Sequence, residues 1–65
     1  MNTKAIAKKI SEKLDTDPKY AESVTDCSEF FRAAIYESGF VPNASDIDGT
    51  DEWNELVDEL EEILA

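Results

Sequence analysis

The run Asp51-Glu52-Trp53-Asn54-Glu55-Leu56-Val57-Asp58-Glu59-Leu60-Glu61-Glu62-Ile63-Leu64 places its apolar residues at steps of three and four. That spacing predicts a helix with a single apolar stripe. Every residue off the stripe is acidic except Asn54. Like charges three and four residues apart weaken a helix by ~0.2–0.5 kcal/mol per pair. Glu61 and Glu62 also lie at the negative end of the helix dipole, where cations are favoured. A domain of this length buries only ~60% of the surface its unfolded chain exposes, so it has little stability to spare. A feature that works against folding in so small a chain invites a functional reading.

Working back from that helix, Phe40 to Thr50 reads as a loop rich in turn formers: Pro42-Asn43, Ser45-Asp46 and Asp48-Gly49. Thr50 or Asp51 is the expected cap of the last helix. Before the loop, a helical region runs from Pro18 to about Ser38. Pro18 suits a first helical position, with Asp17 or Thr16 as its N-cap. Tyr20, Val24, Cys27, Phe31, Ala34 and Ile35 follow one face of it, with Phe30 adjoining. This spacing predicts that Cys27 is a buried, inert thiol. Ser23-Val24-Thr25-Asp26 is a candidate interruption, with Thr25 or Asp26 as an internal cap. Gly39 is a good residue just past the helix end, with Phe40 supplying the hydrophobic contact that accompanies such endings. The first helix starts at an Asn2 or Thr3 cap and runs to about Asp15, with Ile6, Ala7, Ile10 and Leu14 on its apolar side and Lys4, Lys8, Lys9 and Lys13 off it.

No segment alternates like a strand. The expected fold is all-α: a small three-helix bundle, its second helix broken near Thr25, forming one acidic helical domain over residues 1–65. A two-fold dimer through the wide aromatic face of the second helix is the alternative arrangement. The lysines of the first helix are well placed to lie beside the acidic last helix.

The whole chain carries 16 acidic and 6 basic side chains, a net charge of −10. Residues 1–20 have a balance of +2 and residues 21–65 a balance of −12. Direct nucleic-acid binding relies on Lys and Arg neutralising phosphates, so free nucleic acid is an unfavourable ligand. Anionic membrane surfaces are disfavoured for the same reason. The favoured partner is a basic protein, above all a nucleic-acid-binding host protein or complex. One cysteine excludes an intrachain disulfide, and no stretch reads as a signal peptide or membrane span. The expected location is the cytoplasm.

The chain has no His, one Cys and no glycine-rich phosphate loop, so no nucleophile–base pair or zinc-ligand spacing can be assembled. The expectation is a non-enzymatic protein without cofactor or metal. Residues 44–55 resemble an EF-hand calcium loop, with Gly49 at the sixth position and Asp46, Asp48 and Glu55 at the third, fifth and twelfth. Ala44 occupies the first position, where a ligand is required, and Asp51 the eighth, where an apolar residue normally packs. Asp46 and Asp48 read more simply as turn and cap residues.

The sharper hypothesis lies on the last helix. Residues four apart rise ~6 Å, a spacing comparable to that of phosphates along a strand. Asp51, Glu55, Glu59 and Glu62 form a ladder flanked by Glu52 and Asp58, with Asp48 just before it. Asp26, Glu29 and Glu37 extend the acidic surface if the second helix flanks the third. Such an array suits a groove lined with Lys and Arg, and its bland alternative is a solvated face that keeps the chain soluble. Tyr36 and Phe40 are the aromatic residues expected to stay part-exposed and anchor a partner. In size, charge and helicity the chain resembles the compact acidic proteins by which bacteriophages and mobile elements disable nucleic-acid-binding machinery, including DNA-mimicking inhibitors of CRISPR effectors and restriction enzymes. That resemblance implies an inhibitor or regulator. The other readings are a small helical protein–protein interaction module or homodimeric adaptor, and a weak calcium-binding helical module.

Overall fold

Local capping chemistry sets the helix boundaries in the computed structural model, which describes all 65 residues. The chain is all-α, with five helices and no strand: α1 (Thr3–Thr16), α2 (Pro18–Thr25), α3 (Phe30–Ser38), α4 (Ala44–Ile47) and α5 (Asp51–Leu64). Asn2 caps α1 by accepting from the Ala5 N–H at 3.1 Å. Asp17 caps α2 by accepting from the Tyr20 N–H at 3.1 Å, with Pro18 at the first helical position. Thr50 caps α5 by accepting from the Trp53 N–H. Each side-chain oxygen satisfies a backbone donor that the helix itself leaves unpaired.

The break anticipated near Thr25 divides the second helical region into two helices. Thr25 turns its hydroxyl back onto the carbonyls of Ala21 and Glu22, and α2 ends there. Neither Thr25 nor Asp26 caps α3, whose N-cap position is Glu29 without a side-chain bond. The linker displaces Cys27 from the apolar stripe, and its side chain is exposed rather than buried. Gly39 ends α3 at φ 79°, the left-handed conformation that glycine enters without a Cβ penalty. One turn of helix, α4, forms within the expected loop 40–50.

The core gathers from every helix. Ala7, Ile10, Val24, Ala34, Ile35, Leu56 and Leu60 are fully enclosed, with Tyr20 and Trp53 nearly so. The radius of gyration, 10.7 Å, matches the ~11 Å expected of a compact chain this long. The apolar stripe of α5 is only partly used: Ile63 and Leu64, expected in the core, are exposed. The most extensive helix pair is α1 with α5. Thr3 donates to Glu55 at 2.9 Å, the Met1 amine lies 3.9 Å from Glu52, and Lys4 and Lys8 share a surface depression with Glu59 and Glu62. This register runs the two helices side by side in the same direction.

Tyr20 joins α2 to α3 by donating its buried hydroxyl to the Ala34 carbonyl. Burial pushes its pKa from 10.0 up to about 12, and the charge of Glu37 adds to the shift. The folded state therefore holds this proton more tightly than the unfolded chain does. The corresponding stability is intact below pH 10, the unfolded value, and is lost as pH rises through about 12. Far-UV circular dichroism across this window should show alkaline unfolding that is less steep for Tyr20→Phe. An unchanged pH profile in that variant would remove Tyr20 as the titrating group.

Candidate functional site

With its core stripe packed chiefly against α1, α5 turns its opposite side to solvent. Taking 100° per residue from the enclosed Leu56 and Leu60, Asp51, Glu55, Asp58 and Glu62 fall on the side away from the core. All four residues are exposed. Successive members rise ~6, ~4.5 and ~6 Å along the axis. No lysine or arginine closes a direct ion pair with any carboxylate of α5.

This ridge differs from the ladder expected from the sequence. Glu59 is half-buried on the flank that meets α1, beside Lys4 and Lys8. Asp58, expected to flank the ladder, stands in it. The phase of the helix decides this: with Leu56 and Leu60 in the core, Glu52 and Glu59 must lie along the α1 seam. Glu55 remains on the ridge, but its carboxylate accepts from the nearly buried Thr3.

Asp48 has a structural role. Its carboxylate accepts from the Arg32 guanidinium at 2.8 Å and the Tyr36 hydroxyl at 2.9 Å, and its side chain is only 19% exposed. Arg32 also pairs with Glu29 at 3.3 Å and lies 6.0 Å from the centre of the Trp53 ring. The Tyr36 ring meets Trp53 edge-on at 5.7 Å. Together these contacts tie α3 to the loop ahead of α5. The Tyr36 hydroxyl is held above the ordinary tyrosine range, first by its bond to Asp48. Asp48 is thus withdrawn from the set of free docking carboxylates. The ends of the EF-hand-like stretch are also committed elsewhere, Ala44 to a helical turn and Glu55 to Thr3. No three carboxylates converge in a cluster able to hold a metal ion, so this geometry lends no support to the calcium reading.

Tyr36 and Phe40 are 41% and 38% exposed, and Tyr36 sits beside Asp48 and Trp53. Phe40 lies over α1, 5.9 Å from the Lys13 ammonium. What sequence reasoning missed is a groove between α3 and α5, floored by Phe30, Phe31, Trp53 and Val57. Its signal in the sequence is the wide aromatic face of the second helical region with its adjacent phenylalanines, which the sequence offers to the core or to a second copy of the chain rather than to a groove beside the last helix.

No known protein family, curated protein or solved structure matches the chain. No helix is long and apolar enough to cross a membrane.

Proposed function

We propose that the chain is a non-enzymatic acidic inhibitor or regulator that docks on a basic, nucleic-acid-binding protein. The α5 ridge would lie where that protein holds phosphates, excluding its nucleic acid. The observation that carries this reading is the ridge Asp51, Glu55, Asp58 and Glu62: one sign of charge, exposed, at spacings of ~4.5–6 Å and with no basic residue paired to it. Charge complementarity of this kind sets encounter rate and specificity first. It is the mode by which DNA-mimicking anti-CRISPR and anti-restriction proteins act, and that class is the functional assignment we favour.

The half-exposed Tyr36 and Phe40 favour a second reading, a protein–protein interaction module or homodimer that docks through apolar contact. Salt separates the two. The immobilised chain is incubated with nuclease-treated bacterial lysate and eluted over a salt gradient. The charge reading expects a nucleic-acid-binding protein released at moderate salt, because the screening length falls from ~8 Å at physiological ionic strength to ~3 Å at 1 M. A partner retained through 1 M salt, or self-association alone, overturns it in favour of the second reading.

A further inference from the structure

The floor of the α3–α5 groove is apolar, and carboxylates outnumber cations in its surroundings. Phe30 and Phe31 meet edge-to-face at 5.3 Å, and both are half-buried. With Trp53 and Val57 they line an open groove of about 390 Å³, at the low end of the ~300–1,000 Å³ range of ligand pockets. The single cation at its edge, Arg32, is already committed to Glu29 and Asp48. On the α5 side, Glu61 stands one turn beyond Val57 on the same side of the helix, and it is exposed. Glu29 and Arg32 in the lining balance each other, so the excess negative charge beside the aromatic floor is that of Glu61 and of Asp48, the second partner of Arg32.

We propose that this groove seats a basic amphipathic helix of the partner protein, with its apolar residues on the aromatic floor and its Lys or Arg residues toward Glu61. The proposal rests on the charge reading above and adds an apolar anchor to it. A second copy of the chain is disfavoured as occupant because each copy carries a net charge of −10. The floor spans one turn of α5, Trp53 to Val57, and the first turn of α3, a length that takes successive apolar anchors ~6 Å apart on one face of a helix. The ridge would then steer the encounter, and the groove would hold the complex once formed.

The test uses a synthetic peptide of about eighteen leucine and lysine residues with leucines at helical spacing, and an isomer of the same composition with that spacing scrambled. Each is titrated at low salt into the isotopically labelled chain, with amide shifts and Trp53 fluorescence as readouts. The expected result is about tenfold tighter binding of the amphipathic isomer, with shifts at Phe30, Phe31 and Val57 and a blue-shifted Trp53 emission. Val57→Lys should remove that preference. If that variant unfolds, Ser28→Lys on the exposed rim reads the same effect. Equal affinity of the two isomers, with shifts confined to the ridge, overturns the groove and leaves the charge reading standing. Failure of both peptides to bind at low salt overturns both.

Discussion

Leu56→Ala should leave the chain close to its unfolding midpoint at room temperature. At ~0.05–0.15 kcal/mol per residue, a chain of this length has a total stability of roughly 3–10 kcal/mol. Leu56 is fully enclosed among residues of the other helices. Removing a buried leucine side chain costs ~2.7–5 kcal/mol, by lost transfer energy and the cavity left behind. The loss is thus comparable with the whole. In a small domain each kcal/mol moves Tm by roughly 4–8 °C, so a circular dichroism melt should shift downward by more than ~10 °C. Leu64→Ala is the matched control: the same chemistry at a side chain that is 38% exposed should move the melt by only a few degrees. A Leu56→Ala melt that overlays the parent's would mean that α5 is not packed as described.

What can be read in the sequence follows from how local each determinant is. Asn2, Asp17, Thr50 and Gly39 act within three or four residues of themselves, so their roles are legible in the sequence alone. Cys27 is different, because the stripe that would bury it runs through a helix break. Thr25 ends α2, and past that point the 3.6-residue phase no longer says which way a side chain points. The single turn of α4 is too short to leave a periodic signal. Asp48 and Glu59 depart from the expected ladder for a tertiary reason. Arg32 is 16 residues from Asp48 in the chain, and only folding brings them together. The α1 seam likewise decides which of the α5 carboxylates face a neighbour. That α5 is acidic on its outer side is plain from its residues. Which acids are free depends on helix phase and on what α1 covers.

That distinction selects the substitutions that should have the largest effect on binding. Reversing Glu55 and Glu59 would be ambiguous, because one bonds Thr3 and the other lies beside Lys4 and Lys8, where a new cation would strain the fold. Asp58 has no such partner, and Glu62 borders the Lys4–Lys8 depression from an exposed position, where a surface charge contact is worth only ~0–1 kcal/mol. Asp58→Lys with Glu62→Lys should reduce affinity for the basic partner about a hundredfold or more. Close charge pairs across interfaces are each worth ~1.5 kcal/mol or above, and two lost pairs give at least ~3 kcal/mol. Association rate should fall most, and the salt dependence should flatten, since the lost contacts are the screened ones. The same double variant should fold at least as well as the parent. It converts the like-charge pairs Glu55–Asp58, Asp58–Glu61 and Glu59–Glu62 into opposite-charge pairs, each worth ~0.2–0.5 kcal/mol on an exposed helix. It also brings a cation to the last turn of α5, which the helix dipole favours by ~0.3–1 kcal/mol. Surface plasmon resonance against the captured partner, alongside a thermal melt, measures both effects. Affinity that falls while Tm holds or rises places the cost in the interface, because misfolding would lower both together. Affinity and salt slope that match the parent's would reduce the ridge to a solubilising surface and remove the charge-mimic reading. The parent's acidic α5 would then be a stability cost with no functional return, the outcome that the opposing charges and dipole of this helix argue against.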